Sequence, residues 1–155
     1  RAAQLQAIFD SLQNLNPEGE TGLVAALHQV AEKIQQRALV VILSDLFAAT
    51  EEFKDALQHL RYRKHDIAVF HLLDPQEVAF HFERPHRFID LEDGTTIVAE
   101  PNLIAYEYHE ALNEFLTTTA QNCYNVNADY QVIQTDADIE EVCSNFITGR
   151  LTKKR

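Results

Sequence analysis

Apolar and polar positions alternate between two periods along this chain. Leu5, Ile8, Phe9, Leu12 and Leu15 recur at helical spacing, and that pattern stops at the turn cluster Asn16-Pro17-Glu18-Gly19. A second helical face follows, made of Leu23, Leu27, Val30, Ala31 and Ile34, with Thr21 placed to cap it. The run Ala38-Leu39-Val40-Val41-Ile42-Leu43 is apolar without alternation, which predicts a strand covered on both faces, as in a parallel sheet. It ends at Ser44-Asp45. Thr50, with Glu51 and Glu52 behind it, starts a third helix bearing Phe53, Leu57 and Leu60, because acidic groups favour the positive end of the helix dipole. Ile67 to Leu73 reads as a second buried strand, closed by Asp74-Pro75.

Beyond Pro75 the helical period disappears for a stretch. Val78 to Phe82 and Phe88 to Ala99 are short strand-like runs, and Asp93-Gly94 is a hairpin turn signal because glycine accepts positive φ. An antiparallel hairpin insertion over residues 76–100 is expected. Pro101-Asn102 then opens a long helix with Ile104, Tyr108, Ala111, Leu112, Phe115, Leu116 and Thr119 on one face. Tyr130 to Thr135 is a third core strand. Asp136 or Asp138 caps a last helix bearing Ile139, Val142, Cys143, Phe146 and Ile147 and ending at Gly149. Strands alternating with helices imply right-handed crossovers and an α/β fold with a parallel sheet flanked by helices. No internal repeat, low-complexity tract or linker interrupts it.

Composition narrows the function. The 155 residues are 46% apolar and 24% charged, which is ordinary for one globular domain. A net charge of −11 opposes a phosphate backbone, and basic residues cluster only at Arg61/Arg63/Lys64 and Lys153-Lys154-Arg155, so nucleic acid is excluded as a favoured partner. No apolar stretch approaches the roughly 20 residues that span a bilayer, and the opening residues carry no apolar signal-peptide core. Cys123 and Cys143 fall on predicted helices without CxxC spacing and read as small buried hydrophobes in a reducing compartment. The chain contains no Met, and Arg1 opens directly into a helical pattern, which reads as a piece of a longer protein.

The chemical inventory is thin. Four glycines, at 19, 22, 94 and 149, cannot build a P-loop or a GxGxxG turn, and there is no GxSxG elbow. Ser44 alone among the serines sits at a strand end. His81, Glu83 and His86 lie close together in the insertion, at a spacing that matches no named zinc motif and fits surface histidines. His71, inside a strand, reads as a hydrogen-bonded core residue. An enzymatic alternative, a small metal-dependent hydrolase, requires Asp45, Asp74 and the His81/His86 pair to converge on one ion.

Thr21 and Asp45 are the positions that cooperate, since both loops open on the same edge of a parallel sheet. The segments Glu18-Gly19-Glu20-Thr21-Gly22-Leu23, Val40 to Leu46, Lys64-His65-Asp66-Ile67-Ala68-Val69 and Leu72 to Glu77 resemble the von Willebrand factor A-like proteins catalogued as family 58 among the domains of unknown function. The Asp90 to Gly94 hairpin, Asp129-Tyr130 and Thr135-Asp136 extend the resemblance nearly end to end. It implies that residues 1–155 are the C-terminal portion of one von Willebrand factor A-like domain, with a partial Rossmann-like sheet. It also implies a metal-ion-dependent adhesion site, to which Thr21 and Asp45 correspond by position. The DxSxS loop that supplies the main ligands in such a site is missing from this chain; in the family it lies upstream of the position of Arg1. Gly22 stands where relatives commonly carry an acidic residue.

The resemblance implies Mg²⁺ in the intact protein and none in this portion, because Mg²⁺ wants near-octahedral oxygen coordination and one carboxylate leaves it mostly hydrated. The implied role is non-enzymatic: a protein-interaction domain working beside a MoxR-type AAA+ ATPase, cytoplasmic, and membrane-tethered through upstream residues. A half sheet also leaves 38–43 as an apolar edge, so this chain alone is expected to form a two-fold homodimer.

Overall fold

The computed structural model describes residues 2–16, 22–48, 50–82, 84–90 and 94–153. The elements run α1 (Ala2–Gln13), α2 (Leu23–Lys33), β1 (Leu39–Ser44), α3 (Thr50–Tyr62), β2 (Asp66–Leu73), α4 (Pro75–Ala79), β3 (His86–Ile89), β4 (Thr96–Ala99), α5 (Pro101–Asn125), β5 (Asp129–Gln134) and α6 (Ile139–Lys153). β1, β2 and β5 form a parallel sheet in the order β1-β2-β5, with Val40 opposite Ile67 and Val69 opposite Tyr130. Their shared face carries Val40, Ile42, Ile67 and Val69 into a core with Leu27 and Ala31 of α2, Phe53, Ala56, Leu57 and Leu60 of α3, and Cys123 of α5. The α/β architecture is as the alternating pattern predicts.

The opposite face is only partly closed. α6 lays Phe146 edge-on against Phe70 of β2, at 5.0 Å between ring centres. Leu39, Val41 and Leu43 of the edge strand β1 stay exposed. The expectation that β1 is covered on both faces is therefore corrected: an unbroken apolar run shows that both faces could be buried, not that the described residues bury them. The apolar face of α1 is exposed as well, at Leu5, Ile8, Phe9 and Leu12.

Several local expectations change. The hairpin exists, but it is confined to β3 and β4, with Phe88 opposite Ile97. Gly94 takes φ +74° in its turn, while Asp93 lies outside the described residues. Residues 75–79 are a helical turn rather than a strand: Pro75 sits at its start and Asp74 and Glu77 close a capping box over it. The N-cap of α2 is Gly22, which has no side chain to offer; Thr21, expected there, lies outside the described residues. α6 runs through Gly149 to Lys153, and Cys143 is exposed rather than buried. α5, at roughly 37 Å for its length, overhangs the sheet, which leaves Ile104 and Ala111 exposed and confines its buried residues after Pro101 to Thr119, Asn122 and Cys123. Among the described residues no helix is long and apolar enough to cross a membrane.

Candidate functional site

The carboxyl end of β1 turns sharply because Leu46 adopts φ +59°. A bulky residue in the left-handed region is strained and persists only when its surroundings fix it. Here the fixing is burial: Leu46 is 2% exposed and belongs to the core. With Leu46 anchored, Asp45 before it and Phe47 after it are turned outward, and Phe47 is 72% exposed. The Leu46 N–H donates to Ser44 Oγ at 3.0 Å, the Ser44 hydroxyl donates to Asp45 Oδ1 at 3.3 Å, and the Phe47 N–H approaches that same oxygen at 3.4 Å. A hydroxyl and a carboxylate thus share one small turn.

Behind that turn a buried histidine meets a half-buried tyrosine, a pairing that the sequence did not announce. Ser44 is in register with His71 of β2, and His71 Nδ1 meets the Tyr130 hydroxyl of β5 at 2.8 Å. The reading of His71 as a hydrogen-bonded core residue holds. Burial pushes its pKa below the ordinary histidine value, against the Asp45 backbone and carboxylate, which favour the charged ring. Burial also pushes the Tyr130 phenol up to about 12, so it keeps its proton beside the imidazole. Phe115 of α5 packs edge-on to His71 at 5.3 Å and is stacked by Phe47 at 6.0 Å, tying the exposed aromatic to the wall beneath.

The other sequence candidates are dispersed. Asp74 caps α4, accepting from the Gln76 N–H at 2.8 Å, with the Thr135 hydroxyl at 3.5 Å from its other oxygen. His81 Nδ1 donates to the Ala79 carbonyl and His86 Nδ1 to the Arg84 carbonyl, at 2.7 and 2.6 Å. Each is engaged with its own loop. Among the described residues no group of three or more His, Cys, Asp or Glu side chains is placed to share an ion, so the convergence that a hydrolase built on Asp45, Asp74, His81 and His86 requires is not found there. Glu83 and Thr21 lie outside the described residues. A groove of about 690 Å³ along β5 and α6, lined by Phe70, Tyr124, Tyr130, Phe146 and Arg150, does not include Asp45.

Residues 1–114 match the family described as Protein of unknown function DUF58, a span that includes Thr21, Ser44, Asp45 and Asp74. The chain belongs to the DUF58 family. No curated protein and no solved structure matches it. In this DUF58 chain the matched segment ends midway along α5, so β5, which supplies Tyr130 to the pair beneath Ser44, lies beyond it.

Proposed function

We propose that the carboxyl edge of β1 is a cation-assisted protein-recognition surface, the partial metal-ion-dependent adhesion site of a von Willebrand factor A-like domain, and that it has no catalytic role. One observation carries this reading: an outward-facing carboxylate, Asp45, and a 72% exposed aromatic, Phe47, stand side by side on a turn anchored in the core. A carboxylate next to an exposed ring suits a partner surface better than a small substrate, which needs a concave pocket with convergent polar groups. The donors present fit Mg²⁺ in kind, since Asp45 Oδ1 and Ser44 Oγ are hard oxygen atoms within 3.3 Å of each other. Thr21 is the third donor in this proposal. When bound, Mg²⁺ would supply a Lewis-acidic contact for an acidic side chain of the partner. Asp45 and Ser44 hold and orient that site, and Phe47 gives the partner an apolar contact beside it. One carboxylate binds Mg²⁺ weakly, so the intact protein draws further ligands from upstream residues.

The partner we favour is a MoxR-type AAA+ ATPase at the cytoplasmic side, with the intact protein tethered through its upstream residues. On its own the chain pairs as a homodimer across β1, whose Leu39, Val41 and Leu43 are exposed and whose edge carries neither charge nor proline. Capture of the ATPase by the intact protein in Mg²⁺ tests the reading. Asp45→Ala should abolish capture and Phe47→Ser should weaken it, while full capture by Asp45→Ala contradicts the site. Light scattering tests the dimer: the chain should run as a dimer that Leu43→Lys converts to a monomer, and a wild-type monomer at high concentration refutes the pairing.

A further inference from the structure

α2 and α3 lie side by side on the core face of the sheet, and between them His28 Nδ1 meets His59 Nδ1 at 2.9 Å, with ring centres 5.2 Å apart and ring planes tilted by 40°. Both rings are half-buried. A ring nitrogen sits about 1.2 Å from its ring centre, so these distances mean that the two nitrogens face head-on, as in an N–H···N hydrogen bond. The same ring-centre distance has a second meaning. With a Zn–N bond of about 2.0–2.1 Å, two imidazoles on a tetrahedral ion also have centres about 5.2 Å apart. Reorienting the two rings through their side-chain torsions so that both Nδ1 lone pairs converge on one point beside the present contact would exchange the shared proton for an ion.

We propose that His28 and His59 form a two-imidazole clip for a late first-row divalent cation, Zn²⁺ being the best geometric match, which staples α2 to α3. Neutral imidazole is a favoured donor for such ions, and the alkaline earths prefer oxygen. The helices that carry the rings are already fixed. One turn further along, Arg63 Nε donates to the Ala31 carbonyl at 3.1 Å, and Leu27 and Ala31 pack with Ala56 and Leu60 beneath. Binding thus orders no backbone, which removes the main cost of assembling a site. Glu32 lies four residues after His28 and Asp55 four before His59, so each carboxylate shares a helix face with its histidine and adds negative potential next to the pair. Water completes the coordination at this half-buried position. The clip is separate from the Asp45 edge and from the His81/His86 loop.

Titration calorimetry of the full chain with Zn²⁺ in a non-chelating buffer should show one equivalent bound with micromolar strength. His28→Gln and His59→Gln keep a hydrogen-bonding side chain between the helices and should each weaken that binding at least tenfold, while the double variant His81→Ala/His86→Ala retains it. Zn²⁺ should raise the melting temperature of wild type and leave that of His59→Gln unchanged. Wild-type affinity in both glutamine variants, or no Zn²⁺ bound by wild type, overturns the clip and leaves His28 and His59 as a hydrogen-bonded pair only.

Discussion

At the amino ends of β2 and β5, Asp66 and Asp129 sit among Arg37, Arg61 and Arg150, whereas at the carboxyl ends of β1 and β2 the hydrogen bonds that Asp45 and Asp74 accept among the described residues come from backbone N–H groups and hydroxyls. Arg37 reaches Asp66 at 2.9 Å, Arg150 lies 3.8 Å from Asp66 and hydrogen-bonds Asp129, and Arg61 approaches Asp66 at 4.0 Å. Among the described residues no arginine or lysine forms an ion pair with Asp45 or Asp74. The same side chain on the same three strands therefore has two uses. At one end its charge is neutralised within the chain and ties α6 to the sheet. At the other, Asp74 serves as a helix cap and the Asp45 side chain faces outward.

The comparison breaks first at the residue that holds Asp45 in place. Leu46→Ala removes a fully buried side chain and should cost about 2–4 kcal/mol in urea unfolding. The same variant should lose partner capture even under conditions where it remains folded, because the turn is no longer pinned. A cost below about 1 kcal/mol would mean that the turn stands without its core anchor.

Next comes the contrast between the ends. Arg150→Met keeps most of the packing on Phe146, over which the guanidinium sits at 5.5 Å, but leaves Asp129 and Asp66 with less countercharge. Those carboxylates are about a quarter exposed, so a loss of about 1–2 kcal/mol is expected, and Asp45→Asn should change stability by less than about 0.5 kcal/mol. Equal costs in parallel denaturant titrations would erase the distinction.

An effect confined to alkaline pH belongs to the core between the ends. Burial raises the Cys123 thiol from 9.0 to about 12 and the Tyr130 phenol from 10.0 to about 12. Both groups hold their protons more tightly when folded. Their contribution to stability is thus complete below about pH 9 and disappears as the pH climbs toward 12. Cys123→Ala should flatten the lower part of this alkaline limb in pH-dependent melting, and an unchanged limb contradicts the assignment.

Much of this was legible in the sequence wherever the signal is local. Ile67 to Leu73 is buried along nearly its whole length, and its apolar run, interrupted at His71, places β2 to within a residue. Ser44-Asp45 could be read as a strand terminus for the same reason. β1 has the same kind of run but one open face, because a run of apolar residues records what a strand can bury and not what covers it. At residues 75–79 the necessary signal was present, an Asp-Pro with Glu three residues after the Asp, but the short strand-like spacing of Val78 to Phe82 competed with it. Gly149 looked like a helix end, yet one interior glycine costs only about 1 kcal/mol and α6 continues past it. The pairs His71–Tyr130 and His28–His59 join residues far apart in sequence, and they depend on strand register and helix contact that no spacing rule reveals.

The central claim, that Asp45 and Ser44 form a cation-holding edge while the amino-end aspartates are internally neutralised, is tested most directly by titrating the ¹⁵N-labelled chain with Mg²⁺ and following its amide resonances. The predicted result is a set of shifts at residues 44–48, saturating only at millimolar Mg²⁺, lost in Asp45→Asn and kept in Arg150→Met. Shifts that survive in Asp45→Asn, or that appear at Asp66 and Asp129 instead, would contradict it.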